Sequence, residues 1–142
     1  MVGIIVTGHG KFATGLISSM ELIAGAQENV IGVDFLEEDT TESLEKMIEE
    51  AINKLGDEVL VLSDLAGASP FRAAAGLSQK IKEKNIEVIA GTNLGMLLEV
   101  SLCRTGMCSL DLLRMAVDAG TSAIKIFKIK KREEAVEEID GI

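Results

Sequence analysis

The sequence predicts an α/β fold: a doubly wound, mostly parallel sheet with helices on both faces. Short continuous apolar runs, of the kind that fill a strand buried on both sides, alternate with longer stretches whose apolar residues recur at helical spacing. Regular alternation of the two patterns builds crossover connections and a parallel sheet. No internal repeat, low-complexity tract or linker interrupts the 142 residues, a length that suits one domain. The expected division is an α/β core over 1–120, then an edge strand and a terminal helix over 121–142.

The first strand is expected at Val2-Gly3-Ile4-Ile5-Val6-Thr7, followed by the glycine-flanked turn Gly8-His9-Gly10. Phe12, Leu16, Ile17, Met20, Ile23 and Ala24 then mark a helix over 12–24. Val30 to Phe35 is the second strand and ends at an acidic turn, Glu37-Glu38-Asp39. The clearest helix comes next. Leu44, Met47, Ile48, Ala51, Ile52 and Leu55 share one face, Asp39, Thr40 and Thr41 compete to cap it, and Gly56 is expected to close it. Glu58 to Ser63 is the third strand. Ser69 is placed as the cap of the following helix, with Pro70 in its first turn and Ala73 to Glu83 as its body. Ile86 to Ala90 is the fourth strand, and helices follow over 96–102 and 110–119. Ala123 to Ile129 alternates with Lys125, Lys128 and Lys130 in the manner of an edge or exchanged strand, and 131–139 reads as a short charged helix.

Composition excludes several classes. A net charge of −9, four Phe, and no Trp or Tyr leave neither a basic stripe for phosphates nor a platform for stacking bases, so nucleic acid is not an expected partner. No apolar run approaches the ~18 residues of a membrane span, and the N-terminus lacks the basic segment and cleavage site of a secretion signal; a cytoplasmic location is expected. Cys103 and Cys108 make no disulfide framework and, with a single His elsewhere, no zinc site. They read as free, mostly buried thiols, and no metal or cofactor is expected.

In a sheet of this kind ligands bind beyond the carboxyl ends of the strands, where the strand order reverses. With the order 2-1-3-4, strands one and three are neighbours, and His9 and Asp64 fall on one rim. His9 is the only imidazole, and near neutral pH it offers a lone pair as nucleophile or base. Asp64 is the natural carboxylate to hold the other ring nitrogen. The amides of Gly67, Ala68 and Ser69, with the helix starting at Pro70, would cradle an anion. Together they suggest phosphoryl transfer through a phosphohistidine. Plainer readings exist for each: His9 a polar turn residue, Asp64 a turn residue after a strand, Ser69 a helix cap. A competing motif is Gly8-x-Gly10-x-x-Ala13, which after a strand, with Asp34 near the end of the second, matches a dinucleotide-binding pattern. It leaves the turn from Asp64 to Phe71 without a task.

Three segments taken together resemble the IIA component of the mannose-type (mannose/fructose/sorbose/N-acetylgalactosamine) sugar phosphotransferase system. They are Ile4 to Gly10; Asp64 with Gly67 and Ser69-Pro70-Phe71; and Val88 to Asn93 with Met96, Leu97 and Glu99. Gln27 to Val30 with Asp34-Phe35 also fits. The resemblance implies a homodimeric phosphocarrier. His9 would accept a phosphoryl group from the histidine-containing phosphocarrier protein and pass it to a IIB subunit, serving sugar uptake through membrane IIC and IID subunits. By the same resemblance Asp64 orients the imidazole, Ser69 donates to the phosphate, and a fifth, antiparallel strand is exchanged between subunits. The familiar members carry an aromatic where this chain has Ala66, glycine at Ala68, Asn at Arg72 and proline at Gly95. The absence of an Ala/Pro-rich linker suggests a free-standing IIA. The phosphocarrier subunit of a dihydroxyacetone kinase system is the neighbouring alternative, and it lacks the Ser-Pro-Phe element.

Overall fold

Nine elements alternate in the computed structural model, which describes residues 1–129: β1 (Gly3–His9), α1 (Phe12–Ala24), β2 (Val30–Phe35), α2 (Thr41–Asn53), β3 (Glu58–Ser63), α3 (Ser69–Lys80), β4 (Asn85–Ile89), α4 (Leu94–Cys103) and α5 (Ser109–Ser122). All four strands are parallel, in the order β2-β1-β3-β4. Because successive strand residues face opposite sides, the central strands feed two cores. Ile4, Val6, Leu60 and Leu62 pack under α1, α4 and α5, against Met20, Leu97, Val100 and Leu112. Ile5, Val59 and Val61 pack under α2 and α3, against Leu44, Ile48, Ile52 and Leu77. Each fully buried aliphatic side chain contributes roughly 1.5–3 kcal/mol.

Local chemistry sets the boundaries. Thr40 wins the cap of α2 because Ser43 completes a reciprocal box: the Ser43 amide donates to Thr40 Oγ1 at 3.0 Å and the Thr40 amide donates to Ser43 Oγ at 2.9 Å. The helix stops at Asn53, so Lys54 rather than Gly56 forms its C-terminal turn. On α3 the expected capping is shifted by a residue. Ala68 occupies the cap position, Ser69 is already helical, and the helix starts without a side-chain cap.

One further expectation is corrected. Both cysteines are exposed. Cys103 ends α4 and Cys108 immediately precedes α5, so both lie in the surface turn, while the buried stripe passes through Val100 and Leu112. α5 runs on to Ser122, and residues 124–129 are exposed and without regular structure in the single chain; an exchanged strand over 123–129 would take its order from a second copy. The helix expected at 131–139 lies outside the described residues.

Arg104 anchors the opposite end of the sheet from the strands' carboxyl ends. It is buried, and its guanidinium donates to the carbonyls of Val2 (3.0 Å), Asn29 (3.2 Å), Ser101 (3.2 Å) and Glu28. It thereby ties the α4–α5 turn to the starts of β1 and β2.

Candidate functional site

His9 is the last residue of β1, and Asp64 directly follows β3, the neighbouring strand. Asp64 Oδ2 accepts from His9 Nδ1 at 2.7 Å and from the His9 amide at 2.9 Å, while Oδ1 accepts from the Leu65 amide at 2.8 Å. The backbone amide fixes the carboxylate beside His9, so it stands in place to hold the ring, and the ring cannot swing away without breaking the Nδ1 contact. Nδ1 must carry the proton to donate to a carboxylate, which leaves the lone pair on Nε2. The His9 side chain is 52% exposed and that of Asp64 14%. Nε2 therefore belongs to an accessible ring whose anchor is shielded.

Burial works against charge on Asp64. The His9 ring and amide hydrogen bonds, the His9 charge and the Leu65 amide outweigh it, and hold the carboxyl below its ordinary value. Gly8 makes the approach possible: a Cβ there would lie 2.5 Å from Phe12 Cδ1 and 2.9 Å from Asp64 Cγ. Phe35, the register partner of His9 on β2, meets the imidazole edge to face at 5.8 Å between ring centroids. Sequence reading missed Phe35 as a support for the ring, although in the order 2-1-3-4 it stands opposite His9.

Beside this pair the helix ends differ in how they are closed. Thr40 caps α2 and Asn93 caps α4; the Glu58 carboxylate receives the first amide of α5, and the Asp34 carboxylate receives the Thr14 amide of α1. α1 and α3 both lack a side-chain cap and an acid in the first turn, but α1 has the Asp34 carboxylate, and α3 alone has no side-chain oxygen among the described residues accepting from its first-turn amides. Gly67 turns the chain into it with a left-handed φ of 78°. Of the residues expected to cradle an anion, Ala68 has its amide directed at Leu65 O, at 3.4 Å. The Ser69 amide and hydroxyl make no hydrogen bond among the described residues, and the Phe71 amide joins them as an open donor. Pro70 lies between them and contributes no N–H. An uncapped N-terminus flanked by exposed backbone is suited to hold an anion.

The dinucleotide pattern fares worse. Both oxygens of Asp34 are used within the fold, Oδ1 by the Thr14 amide at 3.0 Å and Oδ2 by Thr14 Oγ1 at 2.7 Å. The acid that would bind a ribose instead closes α1, and its charge would repel a pyrophosphate there.

The family model of the phosphotransferase-system fructose IIA component matches residues 3–117. The chain belongs to this IIA family. The mannose-specific EIIAB component of Escherichia coli (strain K12) is 35% identical over 137 residues, covering 94% of this chain and 42% of that protein. The chain thus spans less than half the length of that relative. The fructose-specific EIIA component of Bacillus subtilis (strain 168) is 33% identical over 115 residues, covering 80% of this chain and 77% of that one. Among solved structures, the phosphotransferase system component EIIA from Streptococcus agalactiae superposes with a TM-score of 0.85 at 35% identity, covering 89% of this chain and 97% of that chain. The family match and the spent Asp34 carboxylate together set aside the dinucleotide reading.

This IIA chain has a second surface feature, away from His9. A groove of about 770 Å³ runs between α4 and α5, lined by Ile23, Leu94, Leu98, Met115 and Ala119, with Glu99 and Asp118 on its walls. Nearby Leu22 is 90% exposed, and Ile124, Ile126, Phe127 and Ile129 are all exposed. No helix among the described residues is long and apolar enough to cross a membrane.

Proposed function

We propose that the chain is a cytoplasmic phosphocarrier that takes a phosphoryl group on His9 from the histidine-containing phosphocarrier protein and delivers it to a IIB subunit, for sugar uptake through membrane IIC and IID subunits. The observation that carries this is the His9–Asp64 pair, which fixes Nδ1–H at 2.7 Å and leaves Nε2 as the nucleophile.

In the forward step Nε2 attacks phosphorus in line. The Nε2–P bond forms as the donor's N–P bond breaks, and the donor imidazole leaves with that electron pair. No proton needs to move: Nδ1–H stays in place, and the Asp64 charge offsets the positive charge that develops on the ring. Ser69 and the open amides of Ser69 and Phe71 are the donors for the equatorial oxygens, with Gly67 and Ala68 shaping the turn that presents them. Delivery to the IIB subunit is the same step reversed onto a new acceptor. The carrier acts as a homodimer in this reading. Its 123–129 segment adds an antiparallel strand to a second copy, which is consistent with the apolar exposure of that segment and with the outer edge of β4, which is unpaired among the described residues.

The deciding experiment is transfer of labelled phosphate from phosphoenolpyruvate through the two general carrier proteins. His9→Ala takes up no acid-labile phosphate. Asp64→Asn retains the fold and slows transfer by roughly 10²-fold, because the ring loses the charge that steadies it. Label on the His9→Ala protein would falsify the reading.

A further inference from the structure

Arg72 occupies the fourth position of α3, exposed to solvent and without an ion-pair partner among the described residues. Local energetics disfavour a cation there, because the helix N-terminus is the positive end of the dipole. No acid in the first turn and no cap offsets it. Lys80, at the other end of the same helix, stands where the dipole favours a cation, and it pairs with Glu45 at 3.5 Å. A residue that breaks a local rule without compensation in its own fold marks a functional position.

Its direction is set by helix geometry. Side chains lean toward the N-terminus of their helix, and Arg72 stands about 4.5 Å along the axis from Ser69, less than the length of an arginine side chain. Pro70, Ala74 and Leu77 form the buried face of α3, so Arg72 lies on the solvent side, with the open amides of Ser69 and Phe71 within the reach of its side chain. What it lacks is an anion.

We propose that Arg72 binds the phosphoryl group carried on His9, its guanidinium fork meeting two of the equatorial oxygens and offsetting their charge. The inference rests on the phosphocarrier reading above and adds a charge-stabilising residue to it. Arg72 makes and breaks no bond. It shifts the reversible exchange between donor phosphohistidine and His9 toward phosphorylated His9, on a chain whose net charge is already −9 and gains a further negative charge, since the doubly charged phosphoryl oxygens are only half offset by the positive ring. A planar bidentate cation suits this task better than an ammonium.

The test is the equilibrium constant for phosphoryl exchange between purified histidine-containing phosphocarrier protein and four forms of the chain: wild type, Arg72→Gln, Arg72→Lys and Lys80→Gln. Arg72→Gln is expected to lower the constant about five- to tenfold, and Arg72→Lys to recover part of the loss. Lys80→Gln changes net charge equally but acts about 12 Å further along the helix, beyond the ~8 Å screening length, and leaves the constant at the wild-type value. The unphosphorylated Arg72→Gln protein melts at or above wild type, since a cation has left a helix N-terminus. An unchanged constant for Arg72→Gln overturns the proposal. So does an equal fall in Lys80→Gln, or slower labelling at an unchanged constant, which would make Arg72 a docking residue. If wild type takes no label, or His9→Ala does, the phosphocarrier reading itself has failed, an outcome distinct from failure of Arg72 alone.

Discussion

His9 and Asp64 act together because Gly8 leaves room for them. The carboxylate that grips both the ring and the amide of His9 lies where a Cβ on residue 8 would be, 2.9 Å from Asp64 Cγ and 2.5 Å from the Phe12 ring. Gly8→Ala should therefore push Asp64 outward and lengthen the 2.7 Å bond. Crowding of this kind costs about 1–3 kcal/mol. The larger effect should be on chemistry, since an imidazole without its carboxylate loses both its tautomer and its orientation. Parallel thermal melts and labelling rates check this: the rate should fall further than the stability loss explains, approaching that of Asp64→Asn. A Gly8→Ala protein with a lowered melting temperature and wild-type labelling would show that Asp64 does not depend on the space above Gly8.

At the scale of elements, the terminus of each helix decides what it can do. The closed ends of α1, α2, α4 and α5 are structural, and the open end of α3 is the one free to meet an anion. This contrast was only half legible in the sequence. The strands and helices could be read because runs such as Val59 to Leu62 and the face from Leu44 to Ile52 are local signals, and β1, α1, β2 and β3 fall close to where those signals place them. Asp34 closing α1 and Phe35 bracing His9 depend on which strands are neighbours, and local pattern does not encode that. Arg104 is the extreme case: its partners Val2 and Asn29 lie 102 and 75 residues away in sequence. Arg104→Met should leave several buried carbonyls without donors and cost about 3 kcal/mol, lowering the melting temperature by about 10 °C. Labelling of His9 below that transition should be unaffected, because Val2 immediately precedes β1 and His9 ends it, about 20 Å away. A melting temperature equal to wild type would mean that water replaces the guanidinium without loss.

For the whole molecule the unresolved balance is between charge and apolar surface. A net charge of −9 pushes copies of the chain apart, but that repulsion is screened beyond ~8 Å at physiological salt. Against it stand Ile124 and Ile126, 74% and 75% exposed, Phe127 at 79%, and the apolar groove between α4 and α5. Covering them in an interface of even ~1,200 Å² outweighs the screened repulsion at about 25 cal/mol per Å² of apolar area. The charges within the patch are mixed and so do not oppose this outcome: Glu99, Asp118 and Lys125 line the groove, and Lys128 belongs to the exposed segment. The expected species in sedimentation equilibrium is therefore a dimer, twice the 15.1 kDa of the chain. Ile124→Asp with Ile126→Asp should shift it to monomer, because each copy would have to bury two unpaired carboxylates to associate. Each protomer holds a complete His9–Asp64 pair, so the dissociated variant should still accept phosphate on His9. A wild-type chain that sediments as a monomer at micromolar concentration would leave the apolar segment without its partner and refute the homodimer.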